Sequence, residues 1–495
     1  IQIEEQRFVL HTNNTTYSFK IHSSGHLEHL FYGKKLNATT GLEAAYSHKS
    51  AFAPGNTIAY SKEHPNLALE VLSQEVSSRG KGDWREPFVA FSTQAGISTS
   101  DFIYKGHTVH SGVGPNMELP DHQALPLPHI GGEPESAEGV QTLEITLVDP
   151  ITAVQMHIFY TVFPMADCIT RRSVLVNTAK EPISLEKLMS LQLDLPHAHW
   201  EITHFTGAWA REMNVNRQPL SGAICQLGSA VGVSSSRMNP FFMVHAPKST
   251  ETAGACYGFN LLYSGDWHAT VQRNAFGSAR VLSGIRPEHT KVLLAPGDTF
   301  ESPCAVFTYA ENGFTGLSHQ MHEFVQHHIV RGPWQYKSRP VLINSWEAFY
   351  FNFDQTRLLQ LAKRSKDLGI ELFVLDDGWF GQRDNDTKAL GDWKPNLKKL
   401  PGGLKGLGDK LVQMGLNFGI WVEPEMVNPD SDLFRAHPEW ALNCPTHAQS
   451  LGRNQMLLDL SSPLVQSYLF DQLSDMLKSA PITYVKWDMN RIMTD

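Results

Sequence analysis

The sequence predicts a multidomain chain: an N-terminal antiparallel β-sandwich followed by a (β/α)8 TIM barrel of which about the first half is present. Three observations predict it. Short alternating apolar runs, punctuated by Gly, Pro, Ser and Asn, fill residues 1–312. After Pro340, strand-length and helix-length patterns alternate. Each of those later strands closes on a cluster of polar and aromatic residues, at the end where such a barrel carries its chemistry.

In the first region Leu143, Ile145 and Leu147 alternate with Glu144 and Thr146. Val154, Met156, Ile158, Tyr160 and Val162 alternate with Gln155, His157 and Thr161. Successive side chains of a strand point to opposite faces, so this pattern describes sheets buried on one face. Further runs at residues 17–21, 173–177, 188–195 and 305–309 carry the β pattern through the domain. Residues 313–339 read as a linker helix. Phe314, Leu317, Met321, Phe324, Val325 and Ile329 fall on one stripe, and Arg331-Gly332-Pro333 stops it.

From residue 340 the spacing predicts strands over 341–343, 371–375, 417–422 and 482–486. Helices are predicted over 355–368, 404–414 and 467–478, the first two ended by Gly369 and Gly415. Such repeats build a parallel sheet with right-handed crossovers. A doubly wound sheet is the alternative, but no Gly-rich phosphate turn follows the first strand. Residues 340–495 fall well short of the about 250 residues of a complete barrel, so the chain is expected to be a fragment of a longer protein.

Composition removes several function classes. The 495 residues carry a net charge of −9 with Lys and Arg dispersed, which argues against nucleic acid or an anionic membrane as partner. No apolar run approaches the ~20 residues of a membrane span. Five cysteines without a C-x-x-C indicate neither a disulfide framework nor a zinc ribbon. His322 and His327 are five apart, which puts them on different faces of a helix, and no metal or cofactor is expected. The start at Ile1 is compatible with a removed leader, and a cytoplasmic location is the expectation.

The strand-end clusters are Asn344-Ser345-Trp346-Glu347, Asp376-Asp377-Gly378-Trp379, Trp421-Val422-Glu423-Pro424-Glu425 and Lys486-Trp487-Asp488-Met489-Asn490. Carboxylates accept pairs of hydroxyl hydrogen bonds and indole rings cover the C–H face of a pyranose, so this is a sugar-binding inventory. Trp346, Trp379, Trp421 and Trp487 all lie beside strand ends and are expected on one rim. An aspartate beside a lysine and an amide, as at Asp488, is held ionised and aimed, as a carboxylate nucleophile must be.

These motifs, with Gly452-Arg453-Asn454-Gln455 and the earlier Gly82-Asp83-Trp84-Arg85-Glu86-Pro87, resemble in order those of the α-galactosidases of glycoside hydrolase family 36. The resemblance implies a retaining hydrolase that releases terminal α-D-galactose from melibiose, raffinose-type oligosaccharides or aryl galactosides. It makes Asp488 the nucleophile and gives Asp376 and Asp377 the hydroxyls that single out galactose. Lys486, Arg453 and Asn490 orient the sugar and the nucleophile, and Trp346 and Trp421 form aromatic walls. Arg85 belongs to a loop that completes an active site, in some members that of a neighbouring subunit. A tetrameric homo-oligomer is implied for the full-length protein.

The family's acid/base carboxylate lies on a later strand, beyond Asp495. Retaining chemistry needs two carboxyls about 5–5.5 Å apart, so residues 1–495 alone are expected to be inactive. Three alternatives remain open. An α-glucosidase of the related family 31 shares Trp-x-Asp-Met-Asn, but Arg491 and the tandem aspartates depart from it. Galactosyl transfer on the same scaffold, as in raffinose synthases, is the second. A non-catalytic carbohydrate-binding protein is the third.

Overall fold

A computed structural model describes residues 1–39, 41–43, 57–114 and 139–494. The chain forms two compact units, Ile1–Tyr336 and Lys337–Asp495. Among the described residues no helix is long and apolar enough to cross a membrane.

Among its described residues the first unit holds three antiparallel sheets of four, six and ten strands. The alternating segments form Gln141–Val148 and Gln155–Phe163, paired throughout their length in the ten-stranded sheet. Leu143, Ile145 and Leu147 point into a hydrophobic core shared with Phe8 and Phe19 of the four-stranded sheet and Leu191 and Val271 of the six-stranded one. The expectation of one buried face per sheet fails at Ile183–Leu195, where nearly every residue is buried. Residues 74–85 hydrogen-bond its buried polar side chains Gln192 and Asp194. Ser77 donates its hydroxyl to Gln192 at 2.8 Å, and the main-chain N–H of Gln74 reaches Asp194 at 2.9 Å.

The apolar stripe after residue 312 forms the helix Gly313–Phe324, followed by a wider π-helical turn, Val325–Ile329, and a 3-10 turn, Gly332–Gln335. Leu317, Met321 and Phe324 bury against Phe163, Cys168 and Val306 of the ten-stranded sheet, so this helix is part of the first unit's packing.

The second unit has four parallel strands in chain order: Leu342–Asn344, Leu372–Leu375, Asn417–Val422 and Ile482–Trp487. Between them run the helices Gln355–Asp367, Gly403–Gln413 and Pro463–Lys478. Asp354 caps the first, its carboxylate accepting the N–H of Arg357 at 2.9 Å. Phe373, Leu375, Phe418 and Ile420 bury against Leu358, Leu407 and Leu411 of those helices. Gly419 is required by close approach. A Cβ there would lie 3.0 Å from Tyr484 Cδ1 and 3.0 Å from Val374 Cγ2, on the strands at either side.

Candidate active site at the carboxyl ends of the parallel strands

Parallel strands in register deliver their last residues to one edge of the sheet, and here those residues are polar. Asn344 ends the first strand, Asp376 and Asp377 follow the second, Glu423 follows the third, and Lys486 and Asp488 lie at the end of the fourth. Asp376 Oδ2 accepts from Asn344 Nδ2 and from Lys486 Nζ, each at 2.6 Å, so one buried carboxylate ties the first, second and fourth strands together. Its Oδ1 accepts the N–H of Asp377 at 2.9 Å, and the Ser345 hydroxyl accepts its own N–H at 3.1 Å.

Asp488 is half-buried and surrounded by donors. Oδ2 accepts Trp421 Nε1–H at 3.0 Å and Asn490 Nδ2–H at 2.9 Å, while Oδ1 accepts the N–H of Met489 at 2.9 Å. Burial alone would raise this carboxyl. The Trp421, Asn490 and Met489 hydrogen bonds and the Lys486 charge outweigh it and hold Asp488 below the usual carboxylate range. Arg453, at φ 49°, donates to Asn490 Oδ1 at 2.7 Å, which fixes which way that amide points.

Glu423 is 0% exposed. Its carboxylate accepts the main-chain N–H of Asn490 on one oxygen and Gln455 Nε2–H, at 3.0 Å, on the other. Burial dominates here, and with the nearby Asp488 charge it pushes Glu423 up to about 7. Two carboxyls driven in opposite directions within one hydrogen-bonded group are characteristic of sites that do acid–base or nucleophilic chemistry.

Asp377 is held differently from its neighbour. Arg383 grips it through two bonds, Nε to Oδ1 at 2.9 Å and Nη2 to Oδ2 at 2.8 Å, and Arg383 is itself fixed by the Lys388 carbonyl and Asn428 Oδ1. Burial raises the Asp377 carboxyl, and Arg383 offsets only part of that. The turn after it needs Gly378 at φ +101°. Lys399 steadies that turn by donating to the carbonyls of Phe351, Gly378 and Arg383.

Two of the expected site residues are buried. Trp421 is 1% exposed, packs parallel to Phe380 and donates its indole N–H to Asp488. Trp379 is likewise fully buried, its Nε1–H bonded to the Trp421 carbonyl. Of the four strand-end tryptophans, Trp346 is half-buried between Tyr350 and Phe351, and Trp487 is the exposed one. Arg85 belongs to the first unit and is 3% exposed. Its guanidinium is engaged by both oxygens of Asp83, by Asp194 and by the carbonyls of Leu69 and Leu72. Trp84 beside it, 55% exposed, is what that loop presents.

The structure thus brings together two hydrogen-bonded groups, Asp376 with Lys486 and Asp488 with Asn490 and Arg453, linked by the charge of Lys486 acting on Asp488, with Asp377 adjacent to the first through its main chain. Sequence reasoning gave no role to Asn344 or Gln455, although both lie in the quoted motifs, and gave Glu423 only a binding role by resemblance. It missed Arg383 entirely, whose signal was a lone arginine in an otherwise ordinary Gly381-Gln382-Arg383-Asp384 loop. Cavities of about 580 and 600 Å³ flank the residue 82–87 loop in the first unit, and one of about 530 Å³ lies between Gln382, Lys394 and Arg435 in the second. None of these three is lined by the strand-end carboxylates, so side-chain chemistry identifies the site and cavity size does not.

Residues 25–295 match the family model described as the glycosyl hydrolase family 36 N-terminal domain, and residues 299–495 match the model described as melibiase. Alpha-galactosidase AgaA of Geobacillus stearothermophilus is 38% identical over 492 residues, covering 99% of this chain and 66% of the relative. Alpha-galactosidase C of Emericella nidulans is 40% identical over 432 residues, covering 85% and 56%. The crystal structure of an AgaA variant in complex with raffinose superposes with a TM-score of 0.92 at 38% identity, covering 99% of this chain and 66% of that one. That of the Lactobacillus brevis alpha-galactosidase superposes with a TM-score of 0.94 at 36% identity, covering 100% and 65%. The chain therefore spans a little over half to about two thirds of the length of these proteins.

Proposed function

The chain belongs to glycosyl hydrolase family 36, and on that premise we propose that the whole protein is a retaining α-galactosidase with Asp488 as its nucleophile. The observation that carries this is the carboxylate of Asp488, held ionised by three hydrogen bonds beside a lysine–aspartate pair. Oδ1 has a single donor among the described residues, leaving a lone pair for attack on the anomeric carbon of the sugar. The bond from that carbon to the leaving oxygen breaks, and the leaving oxygen takes a proton from a second carboxyl. Water then attacks the galactosyl ester and gives its proton to that same carboxyl, and the electron pair returns to Asp488. Trp421 and Asn490, already bonded to Oδ2, stabilise the charge that reappears on departure.

Asp376 and Lys486 are assigned to adjacent sugar hydroxyls, Asp377 to a further one, and Trp346 to the apolar sugar face. The raffinose complex of AgaA supports raffinose-type oligosaccharides as the substrate class. The second carboxyl is assigned, by family resemblance, to a strand later than Ile482–Trp487, so a polypeptide of residues 1–495 alone is expected not to turn over. In the full-length protein, Asp488→Ala should abolish hydrolysis of p-nitrophenyl α-galactoside while raffinose binding stays measurable by calorimetry. Turnover near the unsubstituted rate would remove Asp488 from this role.

A further inference from the structure

We propose that Glu423 is a positioning residue for the nucleophile: its carboxylate fixes the main chain of Asn490 and, through it, the amide that aims Asp488. This rests on the reading of Asp488 given above. The chain of contacts is short and every link is a hydrogen bond. Glu423 accepts the N–H of Asn490, and the side chain of that residue donates to Asp488 Oδ2 at 2.9 Å. The other oxygen of Glu423 is held by Gln455 Nε2 at 3.0 Å, and the carbonyl of Gln455 is in turn held by Arg491 Nη1 at 2.6 Å. The brace is anchored on the residue that follows the third strand, beside the strand end that carries the nucleophile.

Glu425 makes the matching contact on the other side. Its Oε1 accepts Trp487 Nε1–H at 2.8 Å. The residue before the nucleophile and the residue two after it are therefore both tied to one Glu-Pro-Glu segment, whose central Pro424 has a restricted φ. A carboxyl buried with no cation bonded to it is costly to retain for packing alone. Both oxygens of Glu423 are spent on groups that hold the 488–490 turn and its neighbour, and a misplacement of about 1 Å at a reacting group can cost on the order of 100-fold in rate.

A glutamine at this position can keep the brace. Its carbonyl still accepts from Asn490. Its amide hydrogens then face Gln455, whose buried Oε1 has no protein partner among the described residues and can accept after an amide flip. Alanine removes both acceptors.

The test uses the full-length protein with p-nitrophenyl α-galactoside, with active sites counted by covalent labelling with a fluorinated galactosyl inactivator. Glu423→Ala is expected to lower kcat per labelled site by roughly 10- to 100-fold with KM changed less than about threefold. Glu423→Gln is expected to recover most of that loss. Residues that only support the fold change the number of labelled sites, not the turnover of each. Unsubstituted kcat per labelled site in Glu423→Ala, or equal impairment in both variants, overturns the proposal while Asp488 keeps its role. A label found off the Asp488 peptide in the unsubstituted protein overturns both.

Discussion

Asp377 and Asp488 are the same side chain in two electrostatic settings. At Asp488, hydrogen bonds from Trp421, Asn490 and Met489 overcome burial, so the carboxylate stays charged and keeps room for one more partner. At Asp377, burial wins, and the carboxylate is sustained by the two-pronged grip of Arg383. Removing that grip leaves a buried carboxyl with no cation. Arg383→Ala is expected to destabilise the second unit by about 3–5 kcal/mol, measured by the urea midpoint at pH 7. The sign of its pH dependence follows from the raised position of Asp377. A carboxyl whose folded-state pKa lies above its unfolded value favours the fold at low pH, and that contribution is lost as pH rises through the folded pKa. Losing Arg383 raises Asp377 further, so the deficit of the variant should shrink as pH falls from 7 towards 4. A deficit that stayed constant over that range would mean the arginine acts through packing. Arg383→Lys keeps the charge but not the fork, and is expected to recover only part of the stability.

Elements were legible where pattern and terminator agreed. The third parallel strand, Asn417–Val422, stands where the apolar run after Gly415 puts it, and the helix Gln355–Asp367 begins at the residue after its Asp354 cap. Which way the strand-end tryptophans point was not legible, for an equally local reason. In Asn417–Val422 nearly every residue is buried on both faces, so alternation carries no information about which side Trp421 points to. Arg383 was invisible because its partner is reached through the fold of a loop, with no periodic pattern to announce it. Gly419 also looked unremarked in sequence, yet it sets how closely three strands approach. Its backbone is not in the left-handed region, so the constraint is steric alone. Gly419→Val should cost on the order of 1–3 kcal/mol by overpacking against Val374 and Tyr484. It should also lower kcat, because the fourth strand, at whose end Asp488 lies, is one of the two strands the added side chain pushes against. A variant that loses stability at the urea midpoint but keeps full kcat would show that the strand adjusts without moving its carboxyl end.

At the scale of the whole molecule the two units differ in what their buried charges do. In the second unit they converge on strand ends. In the first, Asp83 and Asp194 pair with Arg85 and Arg280 beneath the residue 82–87 loop, all four buried. Burial would raise both aspartates, but Arg280 and then Arg85 reverse this, and Asp83 is lowered from 3.8 to about 2. A carboxyl lowered in the folded state stabilises it above the unfolded value, so this contribution is present above about pH 3.8 and lost as pH falls through about 2. Arg85→Ala leaves two buried carboxylates sharing one arginine. It is expected to cost about 3–5 kcal/mol at neutral pH and to move acid unfolding of the first unit to higher pH, which a circular-dichroism titration reads directly. Because the Nε and Nη2 donors of Arg85 are occupied inside its own unit, full-length Arg85→Ala protein kept folded below its midpoint should hold KM for p-nitrophenyl α-galactoside within about twofold. A tenfold rise in KM at full folding would instead restore this arginine to the sugar and make the Asp83–Asp194 cluster its support.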